Sequence, residues 1–182
     1  EVERAGCRRA LLLSTPEQAE SLNQIAQSLG PLAAGTFTQA AMHTPTDVTE
    51  RALKQVSECS ADCTISFGGG SSTGLGKAIA LRTDLTQIAV PTTYAGSEVT
   101  PIIGETKDGV KVTQRTLKVL PEIVIYDVDF TVGLPQRLSV TSGTNAIAHA
   151  VEALYAEDRN PVISMMAEQA IGGRAEGGEP GR

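Results

Sequence analysis

Residues 65–76, ISFGGGSSTGLG, constrain this chain more than any other stretch. The β-branched run of residues 64–67 (TISF) meets three consecutive glycines, Gly68, Gly69 and Gly70. Ser71, Ser72 and Thr73 follow, and then a helix-compatible run from Lys77 to Leu81. Strand, glycine turn and helix N-terminus, in that order, bring a backbone close to a phosphate. Glycine removes the Cβ that would obstruct approach, and the first helical turn offers unpaired N–H groups at the positive end of the dipole. The string is not G-x-G-x-x-G, because Gly74 and Gly76 lie too late to complete that pattern from Gly68. A tight strand-to-helix turn that binds nothing is the competing interpretation.

The flanking sequence alternates strand and helix signals. Residues 8–14 (RRALLLS) read as a buried strand. Thr15 then caps a helix, with Pro16 at its first position and Gln18 closing a capping box. Leu22, Ile25, Ala26 and Leu29 make its apolar stripe and Gly30 its stop. A weaker strand covers residues 33–37, and Thr44 and Pro45 open a helix through Glu58 with Val48, Ala52 and Val56 in register. Residues 64–67, the helix beyond the glycines, and a strand at residues 87–90 complete a third repeat. Three βα repeats predict a parallel sheet with helices on its faces, an α/β fold. Ligands in such sheets sit outside the carboxyl ends of the strands, where Gly68–Gly70 and residues 91–98 (PTTYAGSE) both fall.

Composition narrows the partners. The chain has 182 residues, 41% apolar and 20% charged, enough for one good core or a domain plus a piece of another. A net charge of −6 argues against nucleic acid and against an anionic membrane surface. Any anionic ligand must then be held by local donors. No apolar stretch approaches the ~20 residues that a membrane span needs. Cys7, Cys59 and Cys63 are odd in number and lack a second pair for a zinc site. Reduced thiols in a cytoplasmic protein are the expectation.

Thr92, Thr93, Tyr94 and Ser97 put four hydroxyls on one loop, suited to ribose or phosphate oxygens or simply to their own backbone. Asp108-Gly109 predicts a hairpin, and residues 123–126 (IVIY) another buried strand. Asp127 and Asp129 after it read as loop caps. From Pro135 the pattern becomes helical. Within residues 141–155, Asn145 and His149 stand four apart on one helix face, with Glu152 on the same side. An Asn–His pair is a poor metal site, since zinc or iron needs three or more donors from His, Cys and carboxylates.

Taken together, ISFGGGSSTGLGKAIAL, VPTTYAGSEVTP and TSGTNAIAHAVEAL, in this order and spacing, resemble the iron-containing alcohol dehydrogenase family. The resemblance runs to about Ile171. It implies a Rossmann-like nucleotide-binding domain over residues 1–134 and the start of an all-helical second domain over residues 135–171, the architecture shared with dehydroquinate synthases. It also implies NADH or NADPH as cofactor. Gly68, Gly69, Gly70 and Ser71 would hold the pyrophosphate, Thr92, Thr93 and Ser97 would line the nicotinamide side, and Lys111 would approach the ribose. His149 and Asn145 would be the catalytic residues, His149 facing the cleft between domains.

Two departures from the family pattern sharpen the expectation. Metal-dependent members carry an aspartate where this chain has Asn145, and losing that charge removes the hold on a divalent cation. The resemblance is greatest to the metal-free branch, which reduces the activated double bond of maleylacetate, a small dicarboxylate, to 3-oxoadipate in aromatic catabolism. The second departure is at residues 14–15, where NAD-preferring relatives place an acidic residue and this chain has Ser14 and Thr15, so NADPH is acceptable too. A metal-dependent alcohol or glycerol dehydrogenase, or a non-catalytic nucleotide-binding fragment, are the alternative functions. The family pattern further implies a homodimer at full length and further helical sequence after Ile171. Residues 172–182 (GGRAEGGEPGR) are expected to end the helix as a disordered or aberrant tail of a truncated chain.

Overall fold

Strand β1 (Ala10–Leu13) is buried along its whole length, and its alternation builds two cores at once. Ala10 and Leu12 point to one side of the sheet, Leu11 and Leu13 to the other. This is the mark of a parallel strand covered on both faces. The computed structural model describes residues 1–176. They divide into a first unit of residues 1–92 and 96–133 and a second of residues 93–95 and those from 134 onward.

In the first unit, α1 (Ala19–Leu29), β2 (Ala33–Phe37), α2 (Thr46–Glu58), β3 (Cys63–Gly68), α3 (Gly70–Thr83) and β4 (Thr86–Pro91) follow β1 in strict alternation. A hairpin, β5 (Ile102–Lys107) and β6 (Val110–Arg115), comes next, and then β7 (Ile123–Val124) and the single turn α4 (Asp129–Val132). The main sheet is wholly parallel, in the order β2-β1-β3-β4-β7. Chain order therefore reverses between β1 and β3, which places a ligand crevice at the carboxyl ends of those strands. The α1 stripe of Leu22, Ile25, Ala26 and Leu29 packs on the face made by Leu12, Ile65, Phe67 and Ile88. Helices α2 and α3 cover the other face through Val48, Ala52, Val56, Leu75 and Ile79.

The hairpin turns on Asp108 and Gly109, both with positive φ (50° and 78°), the conformation that lets a two-residue turn follow the twist of its strands. Three local expectations give way. The capping box does not form: Thr15 makes no side-chain cap, only a single 3₁₀ turn (Pro16–Gln18) precedes α1, and Gln18 Nε2 instead donates to Thr92 Oγ1 at 2.8 Å. Strand β7 keeps only Ile123 and Val124 of the four residues expected. Helix α3 begins at Gly70, seven residues before Lys77. Packing overrides propensity there, because Ser72 through Ala80 are all buried.

The second unit contains α5 (Gln136–Tyr155) and α6 (Pro161–Glu176), which pack on each other. Helix α6 passes through Gly172 and Gly173 to Glu176, beyond the stop expected at Ile171. Two glycines cost about 1 kcal/mol each, and the good helix formers around them keep the turn. The rest of the expected tail lies outside the described residues. Val140, Val151, Val162, Met165 and Met166 of this unit are exposed. Among the described residues, no helix is long and apolar enough to cross a membrane.

Because Leu12 is fully buried between α1 and the sheet, Leu12→Ala should lower the unfolding free energy by about 2–5 kcal/mol. Denaturant titration of the two proteins measures it.

Candidate functional site

The turn from β3 into α3 is shaped by Gly68, whose φ of +136° excludes side chains. A Cβ there would also lie 2.4 Å from Gln18 Oε1 and 2.6 Å from Ser72 Oγ. Gly68 O accepts from Thr92 N–H at 3.1 Å, so the glycine turn and the start of the hydroxyl loop are fastened together where β3 and β4 end. Gly70 differs: a Cβ built on it meets nothing within 4 Å. Packing does not demand glycine at that position. It opens on a cleft of about 320 Å³ lined by Gly70, Ser71, Ser97 and Lys111, with His43 and Thr44 on another wall.

Helix α3 has fourteen residues, and its N-terminus points its free N–H groups at this cleft. His43 and Thr44 hold φ values of 63° and 46°, which are strained for residues with a Cβ. Their loop is pinned because Thr106 N–H donates to Thr44 O at 3.2 Å. Gly74 lets this loop approach α3, since a Cβ there would stand 2.4 Å from Thr44 Oγ1.

Lys77 holds the far wall. Its side chain is fully buried, and Nζ donates to Thr100 O at 2.7 Å, Thr100 Oγ1 at 3.1 Å and Ile102 O at 2.8 Å. All three ammonium protons are thus used. Burial pushes its pKa down to about 8, and nearby Glu98 opposes the fall. Arg82 adds a second tie, an ion pair with Glu105 of β5 at 2.8 Å. Glu98 accepts from Tyr126 Oη at 3.0 Å, and burial first, then Glu98, pushes the phenol up to about 12.

The structure brings Gly70, Ser71, Ser97 and Lys111 to one cleft, with Gly68 and Gly69 forming the turn beneath Gly70 and Thr92 bonded to Gly68. Thr93, Asn145 and His149 belong to the second unit. On α5 both Asn145 and His149 are exposed, and His149 Nδ1 lies 3.1 Å from Glu152 Oε2, the partner on the same face. Asp127 is a loop cap, its Oδ1 accepting from Asp129 N–H. Sequence reasoning missed Gln18 and Lys77, which shape the site through long-range bonds that no local pattern signals. It also set the cysteines aside, whereas Cys7 and Cys63 meet at the opposite edge of the sheet.

This geometry suits a dinucleotide: a glycine turn, an open helix N-terminus and a lysine at a topological switch point. Residues 1–128 match the family described as iron-containing alcohol dehydrogenase. The chain belongs to that family. It is 61% identical to the maleylacetate reductase of Rhizobium sp. (strain MTP-10005) over 171 residues, which are 94% of this chain and 49% of that protein. It is 56% identical to the maleylacetate reductase of Sphingobium indicum, over 90% of this chain and 46% of the relative. The crystal structure of maleylacetate reductase from Agrobacterium tumefaciens superposes with a TM-score of 0.88 at 61% identity, covering 91% of this chain and 47% of that one. The chain spans about half the length of the curated relatives it matches.

The family name implies iron, and the donors that α5 could offer a cation are Asn145 and His149. Asn145 offers only a neutral amide, a weak hold on a divalent cation, and His149 keeps Nε2 available while Nδ1 lies against Glu152.

The buried Lys77 sets a pH dependence. Its folded value of about 8 lies below the ordinary 10.5. Between these values the unfolded chain keeps the proton and the folded chain releases it, so this group makes stability rise with pH across that window. The melting temperature of the wild type should therefore rise relative to Lys77→Met between pH 8 and 10.5, and measuring both proteins at several pH values tests it.

Proposed function

We propose that this chain is the cofactor-binding portion of an NAD(P)H-dependent reductase that converts maleylacetate to 3-oxoadipate. One observation carries the reading: the N-terminus of α3 opens at Gly70 on a cleft where nothing in the protein requires a glycine. The high identity to proteins named maleylacetate reductase supplies the substrate class.

In this reading Gly68, Gly69, Gly70 and Ser71, with the first N–H groups of α3, hold the pyrophosphate. Lys111 supplies positive charge in a chain whose net charge is −6. Thr92, Thr93 and Ser97 line the nicotinamide side. The bound dihydronicotinamide supplies the hydride. Hydride addition to the alkene of an enone moves negative charge to the ketone oxygen, and donors placed there stabilise the resulting enolate. With Nδ1 held by Glu152, His149 leaves Nε2 to donate to that oxygen or to return a proton when the ring is protonated. The Asn145 amide is a second donor. No metal enters the chemistry. Ser14 is buried and its hydroxyl donates to Thr15 O, so the end of β1 places no carboxylate against a 2′-phosphate, and both NADH and NADPH are accepted.

The test is nicotinamide oxidation by purified protein with maleylacetate and no added metal, alongside NADH binding followed by fluorescence. Turnover supports the full reading. Saturable binding without turnover supports the cofactor role alone, and neither signal overturns both. Gly70→Asp places a carboxylate in open space at the helix N-terminus. It should leave the circular dichroism spectrum and melting temperature near wild type while weakening NADH binding at least ~10-fold, a loss of about 1.4 kcal/mol.

A further inference from the structure

Where β1 and β3 begin, at the edge of the sheet away from the cleft, three metal-ligand side chains converge. Cys7 Sγ, Cys63 Sγ and a carboxylate oxygen of Asp62 lie within 4.8 Å of one another. Cys63 is fully buried and Cys7 nearly so. Each group is fixed by the backbone around it. Asp62 Oδ2 accepts from Arg8 N–H at 2.8 Å, Oδ1 accepts from Arg9 N–H at 2.9 Å, and Asp62 N–H donates to Arg9 O at 2.9 Å. Cys7 N–H donates to Val2 O at 3.0 Å. A cavity of about 460 Å³, lined by Cys7, Glu3, Gly6, Arg8, Pro31 and Leu32, opens beside Cys7.

We propose that Cys7, Cys63 and Asp62 form a binding site for a thiophilic divalent cation of the zinc and cadmium class, separate from the cofactor cleft. Two sulfurs and one carboxylate oxygen suit a d¹⁰ ion that is content with four ligands, and the cavity beside Cys7 admits water as the fourth. Two thiolates, one carboxylate and a doubly charged cation leave a single negative charge, with Arg8 lining the adjoining cavity. A disulfide would instead need the two sulfurs to close to about 2.05 Å.

Binding is written as two thiols and one cation giving a bis-thiolate complex and two protons. Because the thiols give up protons to the cation, binding tightens as pH rises. The ion would pin the segment before β1 to the first residue of β3.

The experiment titrates reduced, metal-stripped protein with cadmium, reading thiolate-to-cadmium charge-transfer absorption and the protons released. One ion per chain, with protons released and tighter binding at higher pH, is expected. Cys7→Ser and Cys63→Ser should each abolish the band, and Asp62→Asn should weaken binding at least ~10-fold. Cys59→Ser, at a half-buried cysteine outside the cluster, should keep it. If circular dichroism shows Cys63→Ser unfolded, Cys7→Ser decides. A missing band in folded wild type, a band retained in Cys7→Ser, or one lost in folded Cys59→Ser overturns the proposal. None of these readouts depends on turnover or on cofactor binding.

Discussion

The buried ammonium of Lys77 is the interaction on which the cleft depends. A lysine with no exposure is tolerated only when its desolvation is offset, and here three oxygens from Thr100 and Ile102 accept its protons. Those oxygens belong to the segment that leaves the hydroxyl loop and enters β5. One side chain thereby fixes the hairpin to α3, and the hairpin carries Lys111 to the cleft that α3 opens on. The Arg82–Glu105 ion pair and the Thr106–Thr44 backbone bond add ties along the same strand. Removing the ammonium takes this donor from the Thr100 and Ile102 carbonyls at the point where two walls of the site meet.

Helix α3 serves as both core and ligand platform, and its composition reflects the conflict. Ser66 packs so closely that a Cβ at Gly76 would lie 2.3 Å from its hydroxyl, and Thr44 presses on Gly74 from the loop side. Small residues let sheet and loop approach, at a cost in helix propensity of roughly 1 kcal/mol for each glycine. The surrounding burial of Leu75, Ala78 and Ile79 offsets that cost. A sequence tuned for helix formation alone would have used alanine and pushed the strained His43–Thr44 loop out of the cleft.

The division between what the sequence disclosed and what it hid follows contact distance along the chain. The buried faces of β1, α1 and α2 were legible because periodicity records which side is buried. The hairpin turn was legible from Asp108-Gly109, since few other pairs take positive φ at both positions. Gln18 misled because the capping box is a local rule and its amide chose Thr92, 74 residues away. The start of α3 misled because glycine and serine are weak helix formers, and only the packing around them decides otherwise. Cys7 and Cys63 looked unrelated at 56 residues' separation, yet the register that sets Ala10 beside Cys63 brings the segment preceding β1 to the same edge. Of the residues expected to hold a cofactor, Gly70, Ser71, Ser97 and Lys111 line one cleft, whereas Gln18 and Lys77, which position its walls, carried no local signal.

A parallel sheet gives its two ends different chemistry, and this chain uses the difference. At the carboxyl ends, α3 starts, so free N–H groups and the positive end of a dipole face the cleft. An anion can be held there in spite of an overall charge of −6, because the field of one helix terminus and one lysine acts at contact distance while the distant carboxylates are screened. At the amino ends, the strands begin with free N–H groups of their own, and Asp62 accepts two of them from Arg8 and Arg9. That fixes a carboxylate beside two buried sulfurs. One edge thus presents the N–H donors of a helix start and the other a carboxylate anchored by backbone N–H groups beside two sulfurs, and the cation-binding role proposed for Cys7, Cys63 and Asp62 is the counterpart of the anion-binding role proposed for Gly70 and Ser71.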